Sequence, residues 1–97
     1  MTDAELREWW PEFGNLVGEL RRTDRTAVAD RLVGAVRAGA TSSEILGLIG
    51  IVLREHRALR PRLSDSAKSA WDAVMADVNR PYPLRRLAEW LHRLIRR

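Results

Sequence analysis

Apolar residues recur at three- and four-residue steps through most of the chain, which is the spacing of helices with one buried face. Thr2 and Glu5 form a capping box, so a helix is predicted to begin at Asp3. Pro11 lies inside this helix, and because the apolar spacing continues beyond it we expect a kink there, with a short break as the alternative. The apolar run comprises Leu6, Trp9, Trp10, Phe13, Leu16, Val17 and Leu20.

A second helix is predicted from a cap at Thr23 or Asp24 to about Ala38. Gly39 follows it directly, and a glycine at this position typically ends a helix in the left-handed conformation. The apolar side of this helix holds Val28, Leu32, Val33, Ala35 and Val36.

The clearest helix start is the second capping box, Thr41 with Glu44. It predicts a third helix over about residues 42–58, ended by the Arg60-Pro61-Arg62 sequence. This helix is apolar on almost every side, and such a helix belongs in the centre of a core. We expect its neighbours to enclose it, and a second copy of the chain to cover any side that they leave open. Its apolar residues are Ile45, Leu46, Leu48, Ile49, Ile51, Val52 and Leu53.

Two more helices are predicted toward the carboxyl end. Ser64 is the expected cap of the fourth, whose apolar row is Ala67, Ala70, Trp71, Val74, Met75 and Val78. The stretch 79–83 contains two prolines and should form a rigid corner. The fifth helix follows, with Leu84, Leu87, Ala88, Leu91, Leu94 and Ile95 on one face.

Together these patterns predict an all-α fold, a compact bundle of four to five short helices around the central helix at about 42–58. No strand pattern is present, and the length of 97 residues suits one helical domain over 1–97. The longest apolar stretch, Ile45 to Leu53, is far short of the roughly 20 residues that span a membrane. The acidic start of the chain lacks the basic beginning of a secretory signal, so we expect a cytoplasmic protein.

The residues that could carry chemistry are few. The chain has no cysteine, which excludes a thiolate nucleophile and disulfides. His56 could act as a base but has no recognisable nucleophile beside it. Glu89 and His92 have the Glu-x-x-His spacing of some metal sites, yet the second motif that such sites need is missing. We therefore predict no enzymatic activity, no metal and no cofactor.

The predicted function is protein binding, in a small interaction or regulatory protein. An accessory, immunity or antitoxin-like role suits the size, but no residue selects it. Tryptophan and arginine are common anchors of binding surfaces, and two adjacent indoles before a proline are hard to bury completely. The alternative is nucleic-acid binding by the arginine-rich last helix, with Arg54, Arg57, Arg60 and Arg62 beside it. The predicted partner-binding residues are Trp9, Trp10, Arg85, Arg86, Trp90, Arg93, Arg96 and Arg97.

Overall fold

The computed structural model describes residues 2–80, which form five α-helices and one 3-10 helix. No strand occurs among these residues, and the predicted all-α bundle is confirmed. The predicted last helix and residues 81–83 of the corner before it lie outside the described residues. The elements are α1 (Asp3–Trp9), α2 (Pro11–Arg22), α3 (Thr26–Ala38), α4 (Ser42–Glu55), the 3-10 helix (Arg57–Arg62) and α5 (Asp65–Val78).

Three of the helix starts are those that the capping residues predict. The side-chain oxygens of Thr2, Thr41 and Ser64 each accept a hydrogen bond of 3.2 Å from the backbone N–H three residues further on. These bonds satisfy donors that the first turn of a helix leaves free. At α4 the carboxylate of Glu44 also reaches back and accepts a 2.8 Å hydrogen bond from the N–H of Ala40.

The chain breaks at Trp10 instead of kinking, so the kink expected at Pro11 is wrong. Trp10 has φ −141° and ψ 79°, and Pro11 is the first residue of α2, a position where its missing N–H costs nothing. A Cβ added to Gly14 would lie 2.8 Å from the Cα of Arg7. In a continuous helix these residues would be about 10 Å apart along the axis. α1 therefore folds back across α2, at a crossing that Gly14 makes possible.

The connection between α2 and α3 also differs from the prediction. Asp24 has φ 60° and Arg25 donates its N–H to the carbonyl of Leu20 at 2.9 Å, which is a Schellman end of α2. α3 begins only at Thr26, without a side-chain cap. Gly39 has φ −76°, so the left-handed residue expected there is at Asp24 instead.

Of the α-helices, α2 packs against the most other α-helices, namely α1, α3 and α5, whereas α4 packs against α3 and α5. α2 can pack against three helices because its apolar residues lie on one side and its two glycines, Gly14 and Gly18, on another. α4 ends at Glu55, earlier than predicted, and a 3-10 helix containing Pro61 follows it. The largest fully buried side chains include Trp10, Phe13, Leu16, Leu20, Leu32, Ile45, Ile49 and Leu53.

Candidate protein-interaction surface

One side of α4 faces solvent although its sequence is apolar. Ile45, Leu46 and Ile49 are buried against the rest of the bundle, but Leu48 is 36% exposed and Ile51 is 49% exposed. They are the only large hydrophobic side chains that are exposed among residues 2–80. The expectation that α4 is enclosed on all sides is therefore wrong, because α4 packs against α3 and α5 and these two helices leave the side with Leu48 and Ile51 uncovered.

Leu48 and Ile51 belong to a shallow groove of about 430 Å³. We call this the α4 surface, and its lining residues are Glu44, Gly47, Leu48, Ile51 and Arg54. All five come from one helix at three- and four-residue spacing, so they form a single stripe along it. A Cβ added to Gly47 would meet no atom within 4 Å, which leaves a notch between the two apolar side chains.

Opposite charges stand at the two ends of the α4 surface. Glu44 lies in the first turn of α4 and Arg54 in the last, where each sign of charge is favoured by the helix dipole. The guanidinium of Arg54 lies over Gly50 on its own helix and has no ion pair with any other residue of the described chain. Val78 of α5 borders the surface on the same side, next to Gly50.

A polar cluster lies beside the carboxyl end of α4. Arg31 of α3 binds Glu55 through Nη2 at 2.7 Å and lies 2.8 Å from Nε2 of His56 through Nη1. Arginine only donates, so Nε2 of His56 is the acceptor in this contact. His56 thus joins α4 to α3 in a structural contact, and no group suited to hold a metal ion occurs within residues 2–80.

The two predicted tryptophans have different environments. Trp10 is 1% exposed, stacks on Phe13 with ring centroids 4.7 Å apart and donates its indole N–H to Asp77. The expectation that it stays partly open to a partner is wrong, because the break in the chain turns it into the core. Trp9 is partly buried and packs against the same core.

The other predicted partner-binding residues, Arg85, Arg86, Trp90, Arg93, Arg96 and Arg97, lie outside the described residues, as does the Glu89 and His92 pair. The whole chain has a net charge of +4. Residues 81–97 hold five arginines and one glutamate, which accounts for all of this excess and leaves residues 2–80 without net charge. The nucleic-acid alternative therefore depends on the segment beyond residue 80 and stays a prediction.

Of the four arginines expected to assist that segment, Arg60 is already paired. Its Nε and Nη2 donate to the two carboxylate oxygens of Asp72, at 2.8 and 2.6 Å. These hydrogen bonds lower the pKa of the Asp72 carboxyl, against a smaller opposite effect of burial. The ion pair connects the 3-10 helix to α5, so Arg60 has a structural role.

The exposure of the α4 surface has a signal in the sequence, although the partner-binding prediction did not include it. Apolar residues occupy more of α4 than one buried face requires, and two glycines interrupt them.

Comparison of the chain with protein families, with curated proteins and with solved structures finds no match. No helix within residues 2–80 is long and apolar enough to cross a membrane.

Proposed function

We propose that this chain is a small non-enzymatic protein-interaction protein that binds another polypeptide through the α4 surface. The observation that carries the proposal is the exposure of Leu48 and Ile51 beside each other, whereas the other large apolar residues within 2–80 are wholly or partly buried. Covering such side chains stabilises a complex, by roughly 25 cal/mol for each Å² of apolar surface removed from water.

The shape of the surface suits a helix as the bound element. A straight apolar stripe on one helix, with a notch at Gly47 and polar residues at both ends, can pack along the apolar face of a second, amphipathic helix. A partner helix would place an apolar side chain in the notch. Glu44 and Arg54 would then fix its direction, because charge complementarity contributes specificity and register.

Site-specific photocrosslinking in living cells tests this function. A photoreactive amino acid replaces Ile51 in one variant and Ala27 in a control, since Ala27 is an exposed residue of α3 that does not line the α4 surface. We expect a crosslinked polypeptide from position 51 and none from position 27. Adding Leu48→Lys to the position-51 variant should remove the adduct, because a charge on the stripe opposes desolvation.

The proposal would be wrong if position 51 gave no adduct, or if position 27 crosslinked equally well. The mass of the adduct, read by denaturing electrophoresis and mass spectrometry, also identifies what is bound.

A further inference from the structure

We infer that the polypeptide bound at the α4 surface is a second copy of this chain, with the two α4 helices antiparallel. This inference rests on the proposed function and names its partner. The first argument is charge. Parallel α4 helices would place Glu44 beside Glu44 and Arg54 beside Arg54, whereas antiparallel helices place the Glu44 of each copy beside the Arg54 of the other.

The second argument is shape, and it follows from the same alignment. When Glu44 faces Arg54 of the second copy, Gly47 faces Ile51 of that copy, because both pairs are centred on residue 49. The open space at Gly47 then receives the Ile51 side chain of the second copy, which is the more exposed of the two apolar side chains. The two Leu48 side chains meet near the two-fold axis, and the surface is complementary to itself as a symmetric dimer requires.

The charges also exclude the neighbouring alignment. Moving the centre by half a residue would place Leu48 opposite Ile51 of the second copy, which is acceptable for apolar packing. It would also place Glu44 opposite Glu55, and like charges at facing positions are unfavourable. Arg54 would lose its acidic partner at the same time. The register centred on residue 49 therefore satisfies both the apolar and the charged residues, whereas this neighbouring register does not.

The expected dimer is weak and depends on concentration. A single helix face offers less area than the roughly 800 Å² per partner of a standard stable interface. Association should therefore appear as a gradual increase of the mean mass with protein concentration in sedimentation velocity or light scattering. Because the notch at Gly47 receives the Ile51 side chain of the other copy in one register only, the contact should be specific in spite of its size.

Charge reversal provides the decisive experiment. Glu44→Arg and Arg54→Glu each create two like-charged contacts in the dimer, and each purified variant should associate at least tenfold more weakly than the natural chain. An equimolar mixture of the two variants restores both opposite-charge contacts. We therefore expect the mixture to form a one-to-one dimer of about natural affinity, at low salt where screening is weakest.

Stability controls accompany these variants. Glu44→Arg removes the carboxylate that binds the N–H of Ala40, so thermal unfolding is recorded for each protein. Glu44→Gln keeps an acceptor oxygen while it removes the charge. A variant that merely folded poorly would not regain association when mixed with Arg54→Glu, so recovery in the mixture reports on the pairing itself.

Two glycines supply a matched steric test. Gly47 and Gly34 are both exposed residues within helices, and at both an added Cβ would meet nothing within 4 Å. Gly47→Leu fills the notch and should abolish dimerisation. Gly34→Leu makes the equivalent change on α3 and should leave the dimer intact, while both variants keep the natural fold.

The outcomes separate this inference from the proposed function. A chain that stays monomeric up to about millimolar concentration, yet crosslinks from position 51 to a different protein, overturns self-association and leaves the interaction function standing. A crosslink from position 51 to residues 81–97 of the same chain overturns both. A dimer that is indifferent to Gly47→Leu and to both charge reversals overturns the antiparallel α4 contact.

Discussion

The indole N–H of Trp10 donates a hydrogen bond of 2.9 Å to Oδ2 of Asp77, 67 residues further along the chain. Both side chains are buried, with exposures of 1% and 7%. The bond joins the break between α1 and α2 to the last turn of α5. The same bond gives a partner to the Trp10 N–H and to the Asp77 carboxylate, neither of which water can solvate fully. A buried polar group without a hydrogen-bond partner would destabilise the fold.

Asp77→Ala should lower the free energy of unfolding by about 1–3 kcal/mol, because it leaves the Trp10 N–H buried without an acceptor. Asp77→Asn keeps an oxygen at the same place and should cost less. Urea unfolding followed by tryptophan fluorescence and by circular dichroism measures both. Equal losses for the two variants would show that the hydrogen bond is not what stabilises this corner.

The fold-back at Trp10 is the part of the fold that periodicity could not predict. A helix kinked at a proline and two helices separated before that proline can show the same spacing of apolar residues. The apolar pattern therefore does not distinguish a kink from a break. The deciding feature is Gly14, which lets the backbone of Arg7 approach. Gly14 and Gly18 stand four residues apart and thus on one side of α2, which is a signal of close helix contact that the apolar residues do not show.

Gly14→Ala should lower the free energy of unfolding by about 1–3 kcal/mol, since the new methyl group would meet the backbone of Arg7 at 2.8–2.9 Å and α1 would have to move. Gly18→Ala is the matched control. Its methyl group would meet only Nη2 of Arg7, the end of a flexible side chain, and alanine favours the helix by up to about 1 kcal/mol. Denaturant unfolding should therefore separate the two variants clearly, and similar effects would contradict the close crossing.

The helix ends illustrate a different limit of sequence reasoning. The N-terminal caps at Thr2, Thr41 and Ser64 are confirmed, because one side chain and one N–H three residues away settle the geometry, as at Thr41. The loop between α2 and α3 depends instead on how the helices pack. Asp24 takes the left-handed conformation, while Gly39, the residue suited to it, is extended. Gly39 instead leaves room for Ile45, whose Cγ1 would lie 2.4 Å from an added Cβ.

Asp24→Gly should raise the free energy of unfolding by up to about 1 kcal/mol. Glycine adopts positive φ without the steric cost that a Cβ brings, although it also gains freedom in the unfolded chain, which limits the benefit. Asp24→Ala should lower the stability, because alanine keeps the Cβ and loses the polar side chain that helps aspartate adopt this conformation. Thermal and urea unfolding give the order glycine, aspartate, alanine, and any other order would contradict the Schellman end.

The candidate surface could be predicted only in part. That α4 carries more apolar residues than one face can bury is evident from its sequence, and covering by a second copy follows as an expectation. Which residues stay outside depends on where α3 and α5 lie, and these positions are set by contacts far apart in the chain, such as Val78 against Gly50. The local sequence pattern contains no information on these contacts between distant parts of the chain.

The contact between Arg60 and Asp72 predicts a small acid dependence of stability. The hydrogen bonds from Arg60 lower the pKa of Asp72 in the folded chain, so the carboxylate stabilises the fold above its unfolded pKa, roughly 3.9. This contribution is lost as the pH falls through the lower, folded value. Asp72→Asn removes this contribution of the carboxylate at every pH.

The difference in stability between the natural chain and Asp72→Asn, measured by urea unfolding from pH 7 to pH 2.5, should therefore shrink below about pH 4. It should also fall in high salt, because the pair is exposed to solvent. A difference that stayed constant down to the lowest pH would show that Asp72 acts through packing and not through its charge.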